Sequence, residues 1–138
     1  MSDGLPWDFG EAERRLSAAS RRQEMAEEAM REAYRAWGAA QDAYARKLAE
    51  TILELRAENV PATVCLELAK GSPAVSALRL KRDVAEGVKA AAEQAAWRRN
   101  ADRRDAARLA DWSQRREFAE AAGAVSEPAY ERPIGAAA

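Results

Sequence analysis

From Glu11 to Glu58 no proline interrupts the chain, and apolar or small residues recur at alternating steps of three and four. Leu16, Ala19, Gln23, Ala26, Met30, Ala33, Trp37, Ala40 and Tyr44 mark the repeat, with Gln23 as its one polar slip. A period near 3.5 residues keeps one face of an α-helix apolar, whereas a strand requires a period of two. Leu48, Ile52 and Leu55 continue the stripe at steps of four, four and three. That change of step inserts a stutter, which locally unwinds a left-handed supercoil.

The punctuation after this segment is equally informative. Asn59 tolerates the left-handed conformation that ends a helix, and Pro61 forbids continuation. Residues 61–70 then read as a short helix, with Pro61 at its first position and Gly71 as its stop. Val60, Val64, Leu66 and Leu68 give it an apolar side. Ser72 and Pro73 restart the chain as N-cap and first helical residue of a segment over 73–122. Leu78, Lys81, Ala85, Val88, Ala92, Ala95, Asp102, Ala106 and Leu109 outline its seam, thinned by Gly87 and the alanines.

Two helical segments of matched length, 11–58 and 73–122, predict an all-α fold. The expected form is a long antiparallel two-helix coiled-coil hairpin with a short connector helix. Residues 1–10 form a lead-in whose Leu5, Trp7 and Phe9 pack on the hairpin base, and 123–138 form an extended tail. Pairing about the connector makes facing residue numbers sum to roughly 133. That register sets Trp37 beside Trp97, Leu48 beside Ala85 and Leu16 near Phe118. Two helices bury only one stripe each, so two hairpins are expected to dimerise into a four-helix bundle.

Composition removes most chemistry. The 138 residues contain no histidine, so the commonest general base and metal ligand is missing. Cys65 is the only cysteine; it excludes an internal disulfide and reads as a small buried apolar residue. The expectation is therefore a non-enzyme with no cofactor, no metal and no small-molecule substrate. No apolar run of membrane-spanning length and no signal-peptide pattern is present, so the cytoplasm of a bacterial host cell is the expected compartment.

Residues 97–116 read WRRNADRRDAARLADWSQRR, with seven arginines against three aspartates. Guanidinium groups on phosphates and an indole available for stacking are what a nucleic-acid surface needs. Arg98, Arg99, Arg103, Arg104, Arg108, Arg115 and Arg116, with Trp112 as an exposed anchor, are the candidate DNA- or partner-binding residues. The bland alternative is a solvated face whose arginines pair with the interleaved Asp102, Asp105 and Asp111, and the sequence pI of about 5.7 favours it. Two further patterns suit other functions. Gly71 followed by Arg79, Lys81 and Arg82 suits a helix-turn-helix, although recognition helices rarely run for fifty residues. Glu24, Glu27 and Glu28, with Asp102 and Asp105, resemble the magnesium-holding carboxylates of all-α nucleotide pyrophosphohydrolases.

Pro61-Ala62-Thr63, Lys70-Gly71, the helix start at Val75, Leu78, Arg82, Asp83 and Ala85, and the distal DWSQRR of 111–116 together resemble a group of small helical phage and prophage proteins. The resemblance covers about half the chain and implies a setting among replication and recombination functions. It carries no catalytic residues. The expected function is a non-enzymatic phage-type accessory protein, acting by surface binding to DNA or to a replication, recombination or host-defence protein, and compatible with an anti-defence inhibitor. A structural coiled-coil oligomer subunit is the alternative, and the magnesium-dependent pyrophosphohydrolase the third.

Overall fold

In the computed structural model the described residues are 8–123, and they build three α-helices: α1, Phe9–Ala57; α2, Ala62–Gly71; and α3, Pro73–Gly123. Among the described residues there is no strand. The expected packing of Leu5 and Trp7, and the tail beyond Gly123, lie outside the described residues.

Each helix boundary has a local cause. α1 begins two residues before the position read from the sequence, because Asp8 caps it. The Asp8 carboxylate accepts from the Glu11 backbone N–H at 2.8 Å, and the Asp8 carbonyl accepts from that of Ala12 at 3.0 Å. The first turn therefore absorbs Gly10 from the stretch read as a lead-in. α1 ends in a Schellman motif. Asn59 sits at φ 64°, its N–H bonds the Arg56 carbonyl, and the Val60 N–H reaches back to that of Leu55 at 3.0 Å. Pro61 stands just outside α2 as its N-cap residue. Ser72 then serves two helices: its N–H closes α2 on Ala69, and its hydroxyl accepts from the Val75 N–H at 3.5 Å to open α3.

α1 and α3 pack together, and the described residues fall into two compact units, 8–23 with 98–123 and 24–97. In the first unit the Phe9 N–H donates to Glu117 and the Gln23 amide to Asn100 at 3.3 Å. Ala12, Ala19, Ala110 and Ser113 are its buried residues. In the second unit the Tyr34 hydroxyl donates to Glu93, Lys89 lies over Trp37, and Arg82 lies over Tyr44. Partners descend α3 as they ascend α1, so within each unit the two helices run antiparallel.

These partners correct the expected register. Phe9 with Glu117, Trp37 with Lys89 and Tyr44 with Arg82 have numbers that sum to 126, not 133. The difference is one heptad. A heptad seam fixes which face of a helix is inward but is degenerate to sliding by seven residues, so periodicity alone could not choose. Trp37 consequently meets Lys89, while Trp97 is 75% exposed and Phe118 78% exposed. The expected Trp37–Trp97 and Leu16–Phe118 contacts do not form.

The seam of α1 lies inward as its spacing indicated: every position from Leu16 to Leu55 named above is buried or half-buried. The seam of α3 is different. Its inward positions in the second unit are Val75, Leu78, Arg82, Ala85, Lys89, Ala92 and Ala96, at steps of three and four. In the first unit Asn100, Arg103, Ala107, Ala110, Ser113 and Arg116 face inward. Lys81, Val88 and Asp102, assigned to the seam from the sequence, are exposed. Arg82 and Lys89 replace aliphatic packing by standing over rings of α1, at 4.4 Å from the Tyr44 centroid and 4.0 Å from that of Trp37.

The core is consequently poor in bulk. Among the described residues six of the nine buried apolar ones are alanines, and Val75 is the largest side chain fully buried. α2 contributes Cys65 and Ala69, while Val64, Leu66 and Leu68, expected to form its packing side, are exposed. The buried Cys65 thiol meets the Val60 carbonyl at 3.5 Å.

Candidate binding surface

The arginine segment lies on the C-terminal half of α3, in the first unit. At 3.6 residues per turn, Arg104, Arg108 and Arg115 share one outward stripe, whereas Arg98, Arg99 and Arg116 point around the helix in other directions. Arg103 is half-buried in the inward seam. The structure thus brings three of the seven arginines together rather than assembling one cationic face.

Local carboxylates neutralise much of what remains. Arg99 pairs with Asp102 at 3.5 Å, Arg108 with Asp105 at 3.6 Å, Arg115 with Asp111 at 3.2 Å and Arg116 with Glu120 at 2.9 Å. All are intrahelical pairs at i,i+3 or i,i+4 spacing, each stabilising the helix by about 0.3–0.5 kcal/mol. Pairs this weak can be exchanged for phosphate contacts, but the aspartates leave local dipoles where a DNA-tracking protein presents a continuous positive field. Arg98 and Arg104 are exposed and make no ion pair among the described residues. Trp112 is 48% exposed, with the Arg116 guanidinium 5.8 Å from its ring centre.

Three of the carboxylates proposed for magnesium, Glu28, Asp102 and Asp105, are engaged in the same way. Glu28 accepts from Arg31 at 2.7 Å, and that hydrogen bond holds its carboxyl below the ordinary value. Asp102 and Asp105 each face an arginine, and no group of three or more metal-ligating side chains occurs among the described residues. Of the helix-turn-helix trio, Arg79 and Lys81 are exposed, but Arg82 is committed to Tyr44 and Asp83. The helix that carries them runs for 51 residues.

Two open grooves mark the surface. One, of about 280 Å³ in the first unit, has Arg15, Arg22, Asp102 and Asp105 above a floor of Ala19, Ala106 and Leu109. The other, of about 370 Å³ in the second unit, lies at the start of α3 between Pro73, Ala77, Leu80 and Asp83. It opens onto a feature the sequence reading missed. Leu80, Val84 and Val88 are 63%, 59% and 55% exposed on the outward side of α3. The signal was present as a second three-four repeat, Ala77, Leu80, Val84, Val88 and Ala91, interleaved with the inward one. Charged residues at 82 and 89 obscure the inner repeat, so the seam outlined by the sequence mixes the two.

No family profile, curated protein or solved structure matches this chain. No helix among the described residues is long and apolar enough to cross a membrane.

Proposed function

We propose that this chain is a non-enzymatic accessory protein of phage type that works by contact between its helix surfaces and another protein. The observation that carries the reading is the distribution of apolar bulk in the second unit. Its buried apolar residues are Ala33, Tyr44, Cys65, Ala69, Val75 and Ala96, with Val75 the one aliphatic side chain larger than alanine among them, while Met25, Leu53, Leu66, Leu68, Leu80, Val84 and Val88 face solvent. Covering the exposed half or so of one such side chain is worth about 1 kcal/mol, so a protein surface covering several of them gains more than exchange of the weak arginine pairs would supply. Exposed apolar positions along helices are the usual anchors of helix-mediated recognition. The likeness of 60–87 and 111–116 to phage proteins gives the setting, among replication, recombination or host-defence functions in a bacterial cytoplasm.

A structural oligomer subunit, with its helices supercoiled and paired into a four-helix bundle, is the second reading. The same exposed aliphatic residues favour it. DNA binding rests on Arg98, Arg104 and the exchangeable pairs, and the experiment separates it. Fluorescence anisotropy of labelled single- and double-stranded DNA is measured at low and at physiological salt, beside co-purification from host extract. The expected outcome is no DNA complex at physiological salt, and a protein partner retained by an Arg104→Glu, Arg108→Glu variant. A DNA complex that weakens steeply with salt and disappears in that variant would transfer the function to the arginine surface.

A further inference from the structure

In the first unit the apolar seam does not by itself choose an axial register. There α1 turns Ala12, Leu16 and Ala19 inward, and α3 turns Ala107, Ala110 and Ser113. Small side chains meet small side chains nearly as well after a slide of one heptad, which moves α3 by about 10 Å along α1. The ring contacts of the second unit discriminate only in part. With facing numbers summing to 133, Tyr44 keeps a cation, Lys89 in place of Arg82, and only Trp37 loses one, to Ala96. A slide in the opposite direction is excluded by length, because α3 begins at Pro73 and would leave α1 without a partner beyond Arg46.

One inward contact is not repeated by the slide. The Gln23 amide donates to the Asn100 side-chain carbonyl at 3.3 Å, across the two helices and partly buried. Asn100 and Arg103 are the inward residues of α3 beside Gln23, and all three are half-buried. One heptad further along, α3 carries Ala107 and Ala110 at those two positions. A slide of seven residues would therefore set the Gln23 amide against two alanines. Amides at an inward position cost stability relative to aliphatic residues, and their attested use is to specify register and pairing.

We infer that the Gln23–Asn100 pair is a register lock, which adds little to stability and selects one axial pairing of α1 and α3 in the first unit. An inward amide left without its partner disfavours the slid state by roughly tenfold. This role is independent of partner binding, but it decides what the surface of the unit presents. Arg15 and Arg22 of α1 share a groove with Asp102 and Asp105 of α3. A slide of one heptad would put Leu109 and Trp112 where those aspartates stand, and the groove would lose its acidic wall.

Redox equilibration of engineered cysteine pairs with glutathione, on the full chain in a Cys65→Ala background, tests it. Ala19 and Ala106 line one groove in the observed register, and Ser113 would take the place of Ala106 after a slide of seven. Ala19→Cys with Ala106→Cys therefore reports the observed register, and Ala19→Cys with Ser113→Cys the slid one. With both amides present, only the first pair should close. With Gln23→Leu and Asn100→Leu together, the second pair should gain about tenfold in effective concentration. The thermal unfolding midpoint and the helical circular dichroism of that variant should hold level or rise. A leucine variant that closes only the first pair overturns the inference. So does one whose midpoint or helicity falls, for the amides would then hold the fold rather than select its register. Ready closure of the second pair with both amides in place overturns it as well.

Discussion

Lys89→Met isolates the charge that sits in the inward seam of α3. The Lys89 ammonium lies 4.0 Å from the Trp37 ring centre and 5.0 Å from that of Tyr34. Methionine keeps most of the aliphatic stem against the rings and removes only the cation. Cation–π contacts are worth about 0.5–1 kcal/mol when exposed and about 2 when desolvated. Lys89 is half-buried and spans two rings, one of them the indole that binds cations best. The expected loss is therefore about 1 kcal/mol, roughly a fivefold change in the folding constant. Urea unfolding followed by far-UV circular dichroism, at one fixed protein concentration, measures it. A double-mutant cycle with Trp37→Leu should recover most of the loss as coupling energy. If Lys89→Met is neutral or stabilising with an unchanged m-value, the ammonium is a passive occupant of the seam. The ring contacts would then not explain how this unit tolerates a lysine inside.

Three other perturbations follow from local geometry. Asn59→Ala should cost about 1–2 kcal/mol in thermal or urea unfolding, because alanine pays for the φ of 64° that asparagine tolerates, whereas Asn59→Gly should be neutral or slightly stabilising. Gly38→Ala should stabilise by about 0.5–1 kcal/mol, since the position is exposed in the middle of α1 and an added Cβ meets nothing within 4 Å. Glu11 and Glu28, hydrogen-bonded by Arg14 and Arg31, have carboxyls held below the ordinary 4.5. Their folded-state values are depressed, so their contribution is present above the unfolded value and is lost as pH falls through the lowered ones. Carboxyl-carbon NMR titration should show both midpoints below 4.5, and Arg14→Gln should return that of Glu11 towards it.

How far the sequence revealed this architecture depended on where its apolar residues stand. α1 was legible because its inward positions hold Leu16, Met30, Trp37, Tyr44 and Leu48, and because Asn59-Val60-Pro61 spells out its end. Its beginning was less legible, since the cap, Asp8, lies inside the stretch read as a lead-in, three residues before Glu11. α3 was misread because its inward face holds Arg82, Lys89, Asn100, Arg103 and Ser113, none of which signals burial. Arg82 and Lys89 enter that seam where α1 offers the rings of Tyr44 and Trp37, and that pairing depends on axial register, which a heptad repeat leaves open by whole heptads. Among the candidate binding residues, the sequence displayed the arginines as a run. Helical spacing of four and seven residues already sets Arg104, Arg108 and Arg115 on one face; the folded helix adds which aspartates meet Arg108 and Arg115.

The proposed role depends on apolar bulk that the chain leaves outside and another surface covers. The most direct measurement is co-purification from host extract on the immobilised chain, with the wild type beside a Leu80→Glu, Val84→Glu variant whose helical circular dichroism is unchanged. The account predicts a discrete protein retained by the wild type and lost by the variant, since these exposed side chains make no part of the chain's own core. The same protein retained by both, or none retained by the wild type, would contradict it.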